Sequence, residues 1–221
     1  MKSIRYALLL LLVTLSAQAA EFQEGVHYQR LPVPVETEDA TKVEVVELFS
    51  YACIHCKNFD PTLEAWRAEQ ADDVLFRRVP AIFNETWELL AQAFYAAEVL
   101  GIGEKVHHPI FRALHDRGVN LANPSLMAAL FQEVGEVAPE EFTQVFNSFS
   151  VRSRVQQADA HGRAYRVTGV PTLIVDGVYR VDGKMAGNNT KMLEIVDFLI
   201  AERRAAGQTD RGSVIPASQT Q

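Results

Sequence analysis

The sequence predicts an α/β fold in which a βαβ…ββα core is interrupted by a block of helices. Three observations carry this reading. A β-branched apolar run at Val43–Phe49 and a second at Val74–Val79 flank a helical stretch. Between Glu85 and about Tyr165 the apolar residues recur at helical spacing instead. Strand patterns then return at Thr172–Val175 and Val178–Val181, joined by Asp176-Gly177, before a closing helix.

The chain opens on Lys2 and Arg5, an apolar run from Tyr6 to Val13, and Ser16-Ala-Gln-Ala-Ala20. A basic start, a short apolar stretch and small residues at an A-x-A site make a secretory signal peptide over residues 1–19, cut near Ala19. The run is too short for a membrane span, which needs about 20 residues. The remainder is expected to be exported and soluble.

Val43–Phe49 reads as a strand that leads through Ser50-Tyr51-Ala52 into Cys53. A helix is expected from Cys53 to about Glu69, kinked where Asp60-Pro61 resembles a fresh N-cap and first-turn proline. Pro80 stops the second strand. In the helical block, Leu89, Leu90, Ala93, Phe94 and Ala97 form one stripe, and Val106, Ile110, Phe111 and Leu114 another. Asn123-Pro124 opens a third helix, and Phe142, Val145, Phe146 and Phe149 mark a fourth. A more polar helix is expected over Val151–Tyr165. The last helix should run from Asn189 to Arg204 on Met192, Ile195, Val196, Leu199 and Ile200. The expected organisation is therefore 20–84 and 151–205 as two parts of one α/β domain, 85–150 as an inserted helical domain, and 206–221 as a flexible tail.

Composition removes several classes. In 221 residues, 48% are hydrophobic, there are two cysteines, and the formal charge is −7. A disulfide-stapled miniprotein or a disordered chain is excluded. The acidic balance argues against general nucleic-acid binding. Two cysteines alone cannot fill a four-thiolate zinc site.

Those cysteines, Cys53 and Cys56, form a Cys-x-x-Cys pair in a chain bound for an oxidising compartment. Such a small loop restrains the unfolded chain little, so the pair is a poor staple and a good redox couple. Cys53, at a strand end and helix start, meets unpaired N–H groups and the positive dipole end, which favour thiolate. It is read as the exposed, attacking thiol, with Cys56 buried and resolving. His55 between them can stabilise the thiolate as a partly cationic imidazole, or stand as a solvated loop histidine. Val170-Pro171 precedes a strand; the proline can begin it, and the bond can be cis. That bend could leave the Val170 backbone free to pair with an extended peptide. Glu47, an acid in an apolar strand, is either a buried proton carrier or an outward-facing residue. His107, His108 and His115 are read as helix-surface residues rather than metal ligands.

The run Val-Val-Glu-Leu-Phe-Ser-Tyr-Ala-Cys-Ile-His-Cys, the helical insertion, Thr-Gly-Val-Pro-Thr and the signal peptide together resemble the DsbA family of periplasmic thiol–disulfide oxidoreductases. The resemblance spans about Gly25 to Arg204. It implies a thioredoxin fold with an inserted helical domain and a Cys53–Cys56 disulfide. It also implies that Cys53 attacks, Cys56 resolves, Pro171 is cis beside them and Glu47 is the family's buried acid. No cofactor or metal is implied. The implied partners are reduced, unfolded exported proteins and a DsbB-like quinone-linked membrane protein that reoxidises the pair. The dipeptide departs from the family's usual Pro-His: Ile54 replaces proline and puts an apolar side chain beside the nucleophile, where it could contact substrate. A monomer is expected, because the stretch before Val43 is too short for a dimerisation domain. The other readings are a reductase or isomerase of similar fold, and a periplasmic holdase that binds peptides without chemistry.

Overall fold

The computed structural model describes residues 22–212, with side chains to residue 207. The signal peptide and the far end of the expected tail lie outside the described residues. In order, the chain forms β1 (Gln29–Arg30), β2 (Val43–Phe49), α1 (Ile54–Ala68) and β3 (Val74–Pro80). Five helices follow: α2 (Glu85–Val99), α3 (Gly103–His115), α4 (Pro124–Gly135), α5 (Pro139–Phe146) and α6 (Phe149–Ala164). The chain closes with β4 (Thr172–Val175), β5 (Tyr179–Asp182), α7 (Gly183–Ala186) and α8 (Asn189–Gly212).

The strands make one sheet in the order β1-β5-β4-β2-β3. β2 runs parallel to β3 and antiparallel to β4, and the β1–β5 and β4–β5 pairs are also antiparallel. β2 is interior and every one of its residues is buried. That explains its near-continuous apolar sequence, since a strand covered on both faces has no solvent side. Its side chains alternate between two cores. Val43 and Val45 pack with Phe59, Leu63 and Trp66 of α1 and with Ile195, Val196 and Leu199 of α8. Val46 and Leu48 pack with Val79, Ala158 of α6, Tyr165 and Ile174. Phe49 enters a third core, filled by Leu90, Phe94, Ile110, Phe111, Phe131 and Phe142 of the helical block together with Tyr51, Cys53 and Cys56.

The β4–β5 hairpin turns on Asp176 (φ 53°) and Gly177 (φ 61°). Two successive left-handed residues match the twist of the flanking strands. Gly177 is required twice over, because a Cβ there would lie 1.9 Å from the Val35 carbonyl oxygen.

Several expectations are corrected. α1 is one helix, with Pro61 inside it. Asp60 does not cap a new helix, because its buried carboxylate is ion-paired with Arg78 and contacted by the rings of His107 and His108. α8 continues past Arg204 to Gly212, so the start of the expected tail is helical. The second hairpin strand begins at Tyr179, and β1 and α7 are additional. Among the described residues no helix is long and apolar enough to cross a membrane.

Candidate active site

β2 ends at Phe49, and Ser50-Tyr51-Ala52 turn the chain into α1. The Cys53 N–H donates to the Ser50 carbonyl at 3.0 Å, and the Ala52 N–H donates to Ser50 Oγ at 3.2 Å. This turn leaves Cys53 as the N-cap of α1, in extended conformation (φ −94°, ψ 113°). Its sulfur takes the place that a serine or aspartate oxygen takes in an ordinary cap, accepting from the Cys56 N–H at 3.3 Å. The Cys56 thiol, the N–H groups of Cys56 and His55, and the His55 imidazole outweigh the partial burial of Cys53. They lower its thiol from 9.0 to about 6. Cys56, one turn in, is fully buried, and its burial, the Cys53 sulfur and the Glu47 carboxylate all push its thiol upward. The two thiols are therefore held far apart in acidity, as expected for an attacking and a resolving sulfur.

One expectation needs correction here. Cys53 is the more accessible of the pair but is only 8% exposed. It packs under the loop of Val170, whose carbonyl accepts from Cys53 Sγ at 3.5 Å. Both cysteines are free thiols, the reduced state of the implied couple.

The other expected residues gather around the pair. Val170-Pro171 is a cis peptide bond. His55 and Ile54 are exposed on the first turn of α1, Ile54 by 44%. His55, Val170, Pro171, Arg180, Lys184 and Met192 help line a groove of about 530 Å³ beside the cysteines. Glu47 is buried on the β2 face that also carries Val45 and Phe49. Burial raises its carboxyl from 4.5 to about 7, against the pull of the Arg78 guanidinium.

Sequence reasoning missed the groups that hold Glu47. Arg78 lies directly across from it in the β2–β3 register. Arg78 Nε donates to Glu47 Oε2 at 3.1 Å and Nη2 to Asp60 Oδ1 at 3.1 Å, and Arg78 also pairs with Glu64. Two glutamates in one apolar strand and two arginines in the next were the available signal, but using it needs the register. The histidines are also corrected. His107 is buried, with Nε2 3.0 Å from Asp60 Oδ1 and Nδ1 2.9 Å from the Tyr51 hydroxyl. His115 Nε2 is 2.8 Å from the Tyr51 carbonyl oxygen. Only His108 keeps a largely solvent-facing ring, and it too pairs with Asp60 at 2.8 Å.

Residues 67–194 match the model of the DSBA-like thioredoxin domain family. That match begins after the cysteine pair and includes the Val170-Pro171 loop. The chain is 39% identical to the thiol:disulfide interchange protein DsbA of Azotobacter vinelandii over 191 residues, 86% of this chain and 89% of that one. It is 39% identical to the DsbA of Pseudomonas aeruginosa over 194 residues, 88% and 92% of the two chains. Among solved structures, P. aeruginosa DsbA superposes with a TM-score of 0.82 at 38% identity, covering 86% of this chain and 98% of that one. The oxidoreductase DsbA of Xylella fastidiosa gives 0.76 at 37% identity, covering 81% and 96%.

Proposed function

The chain belongs to the DsbA family of thiol–disulfide oxidoreductases, and on that premise we propose that it donates a Cys53–Cys56 disulfide to reduced proteins exported to the periplasm. The observation that carries the direction of transfer is the Cys53 sulfur, capping α1 and lowered to about 6. A stabilised thiolate favours the dithiol over the disulfide, so the disulfide is readily given away.

A substrate thiolate attacks Cys53 Sγ of the disulfide. The Cys53–Cys56 bond breaks, a mixed disulfide forms, and the Cys56 sulfur leaves with the electron pair. Its thiol is strongly disfavoured as an anion, so it takes up a proton. Glu47, poised near 7 and close enough for its charge to raise the Cys56 thiol, is the group proposed to supply it. A second substrate thiolate then attacks the substrate's own sulfur, and Cys53 leaves as the better-stabilised thiolate. The substrate has lost two electrons and the cysteine pair has gained them.

His55 supports the Cys53 thiolate electrostatically. The Val170 backbone and the exposed Ile54 side chain are read as substrate contacts, with Pro171 shaping the loop beside the sulfur. Removal of residues 1–19 on export and reoxidation by a DsbB-like quinone-linked membrane protein complete the proposal. Residues 85–150 are read as the inserted unit of the fold.

The test is oxidation of a reduced, unfolded substrate protein by one equivalent of the oxidised chain. Disulfides should appear in the substrate as thiols appear at Cys53 and Cys56. Cys53→Ser and Cys56→Ser, neither of which can form the internal disulfide, should each abolish transfer. Substrate that stays reduced in the presence of the oxidised wild-type chain would overturn the reading. Protection of substrate from aggregation by Cys53→Ser at the wild-type level, with no disulfide formed by either, would favour a holdase instead.

A further inference from the structure

Tyr51 stands two residues before Cys53 and is held along its whole length by one helix of the insertion. Its hydroxyl meets His107 Nδ1 at 2.9 Å, and its carbonyl oxygen meets His115 Nε2 at 2.8 Å. Between them, Phe111 meets its ring edge-on at a centroid distance of 5.0 Å. His107, Phe111 and His115 are spaced i, i+4, i+8, so they form one stripe on α3, about 12 Å long at 1.5 Å per residue.

The proton positions follow from the partners. Asp60 is a carboxylate: burial raises its pKa, but His107, Arg78 and His108 outweigh that and hold it below its ordinary value. A carboxylate only accepts, so His107 carries its proton on Nε2, and Nδ1 accepts from the Tyr51 hydroxyl. A carbonyl likewise only accepts, so His115 donates from Nε2. The same helix thus grips the chain on both sides of the cysteine pair, at Tyr51 before it and at Asp60 after it.

The geometry points to His107 and His115 as positioning residues for the nucleophile, fixing the Ser50–Ala52 turn so that Cys53 Sγ stays on the N-terminus of α1. This rests on the reading of Cys53 as the attacking thiol. The sulfur is 3.3 Å from the Cys56 N–H. A charge-assisted bond of this kind weakens with a few tenths of an ångström of displacement. A turn anchored at one hydroxyl and one carbonyl cannot swing the sulfur away. Apolar packing on the tyrosine ring alone would leave it free to slide.

The test is titration of the Cys53 thiolate by its ultraviolet absorbance in the full reduced chain. His115→Leu removes the carbonyl grip, Tyr51→Phe removes the hydroxyl grip, and His115→Gln restores a donor. Leu and Phe are expected to raise the Cys53 pKa by about half a unit or more, and Gln by less. The equilibrium with glutathione should move toward the disulfide form by about threefold or more in the same two variants. Phe142→Leu, a core change elsewhere in the helical block, should lower thermal stability and leave the titration in place. If His115→Leu does not fold, Tyr51→Phe decides. Wild-type titration in folded His115→Leu and Tyr51→Phe would overturn the inference alone. A wild-type Cys53 that titrates near 9 would overturn both the inference and the reading of Cys53 beneath it.

Discussion

Cys53 and Cys56 are one helical turn apart, and their surroundings drive their thiols in opposite directions. The linkage to stability has a definite sign. Cys53 titrates near 6 in the fold and near 9 in the unfolded chain. Between those values the unfolded reduced chain binds the extra proton, so rising pH favours the folded reduced form. That contribution is fully present above about 9 and is lost as pH falls through about 6. Denaturant titrations should therefore find the reduced chain more stable than the oxidised one at pH 8, with the gap closing toward pH 5; a gap that is constant with pH would contradict the assignment. Glu47 has the reverse sign. Its folded pKa of about 7 lies above its ordinary 4.5, so the fold holds its proton through that window. Stability from this source is present below about 4.5 and is lost as pH rises through about 7, by up to about 3 kcal/mol. Glu47→Gln should stabilise the protein relative to wild type by about 1–3 kcal/mol more at pH 8 than at pH 5. An equal difference at both pH values would show that the carboxyl is not perturbed.

β4 begins directly after the Val170-Pro171 loop, and its hairpin with β5 turns on Gly177. Gly177→Ala combines a left-handed backbone with a Cβ aimed at the Val35 oxygen 1.9 Å away. It should cost about 2–4 kcal/mol in chemical denaturation; a loss under about 0.5 kcal/mol would mean that the turn relaxes freely. This hairpin was legible from Asp176-Gly177 alone, because two residues with positive φ carry a local signal. The strands and helices around the cysteines were legible for the same reason, their periodicity being local. What stayed hidden depends on contacts far apart in the chain. Asp60 before Pro61 has the local pattern of a helix start, but the fold uses its carboxylate to bind Arg78 and His107. His107 and His115 resemble surface residues on a polar helix end until Tyr51 is laid along them. β1 is two residues long, and only its pairing with β5 makes it a strand.

Across the whole molecule, the redox site belongs to the same core as the insertion. Phe49, Tyr51, Cys53 and Cys56 share one apolar cluster with Leu90, Ile110, Phe111 and Phe131. The helical block therefore supplies a wall of the site as well as a cover over the sheet. Phe111→Ala should destabilise the protein by about 3–5 kcal/mol and should still give a single unfolding transition by fluorescence and circular dichroism. Two separated transitions would show that the block folds as an independent unit. This fold stabilises the dithiol and so gives the disulfide away. The direct measurement is the equilibrium of the Cys53–Cys56 pair with glutathione redox buffers, read by alkylation of free thiols. A reduction potential above about −180 mV is the expected result. A value near that of thioredoxin, about −270 mV, would contradict the account and make the chain a reductase.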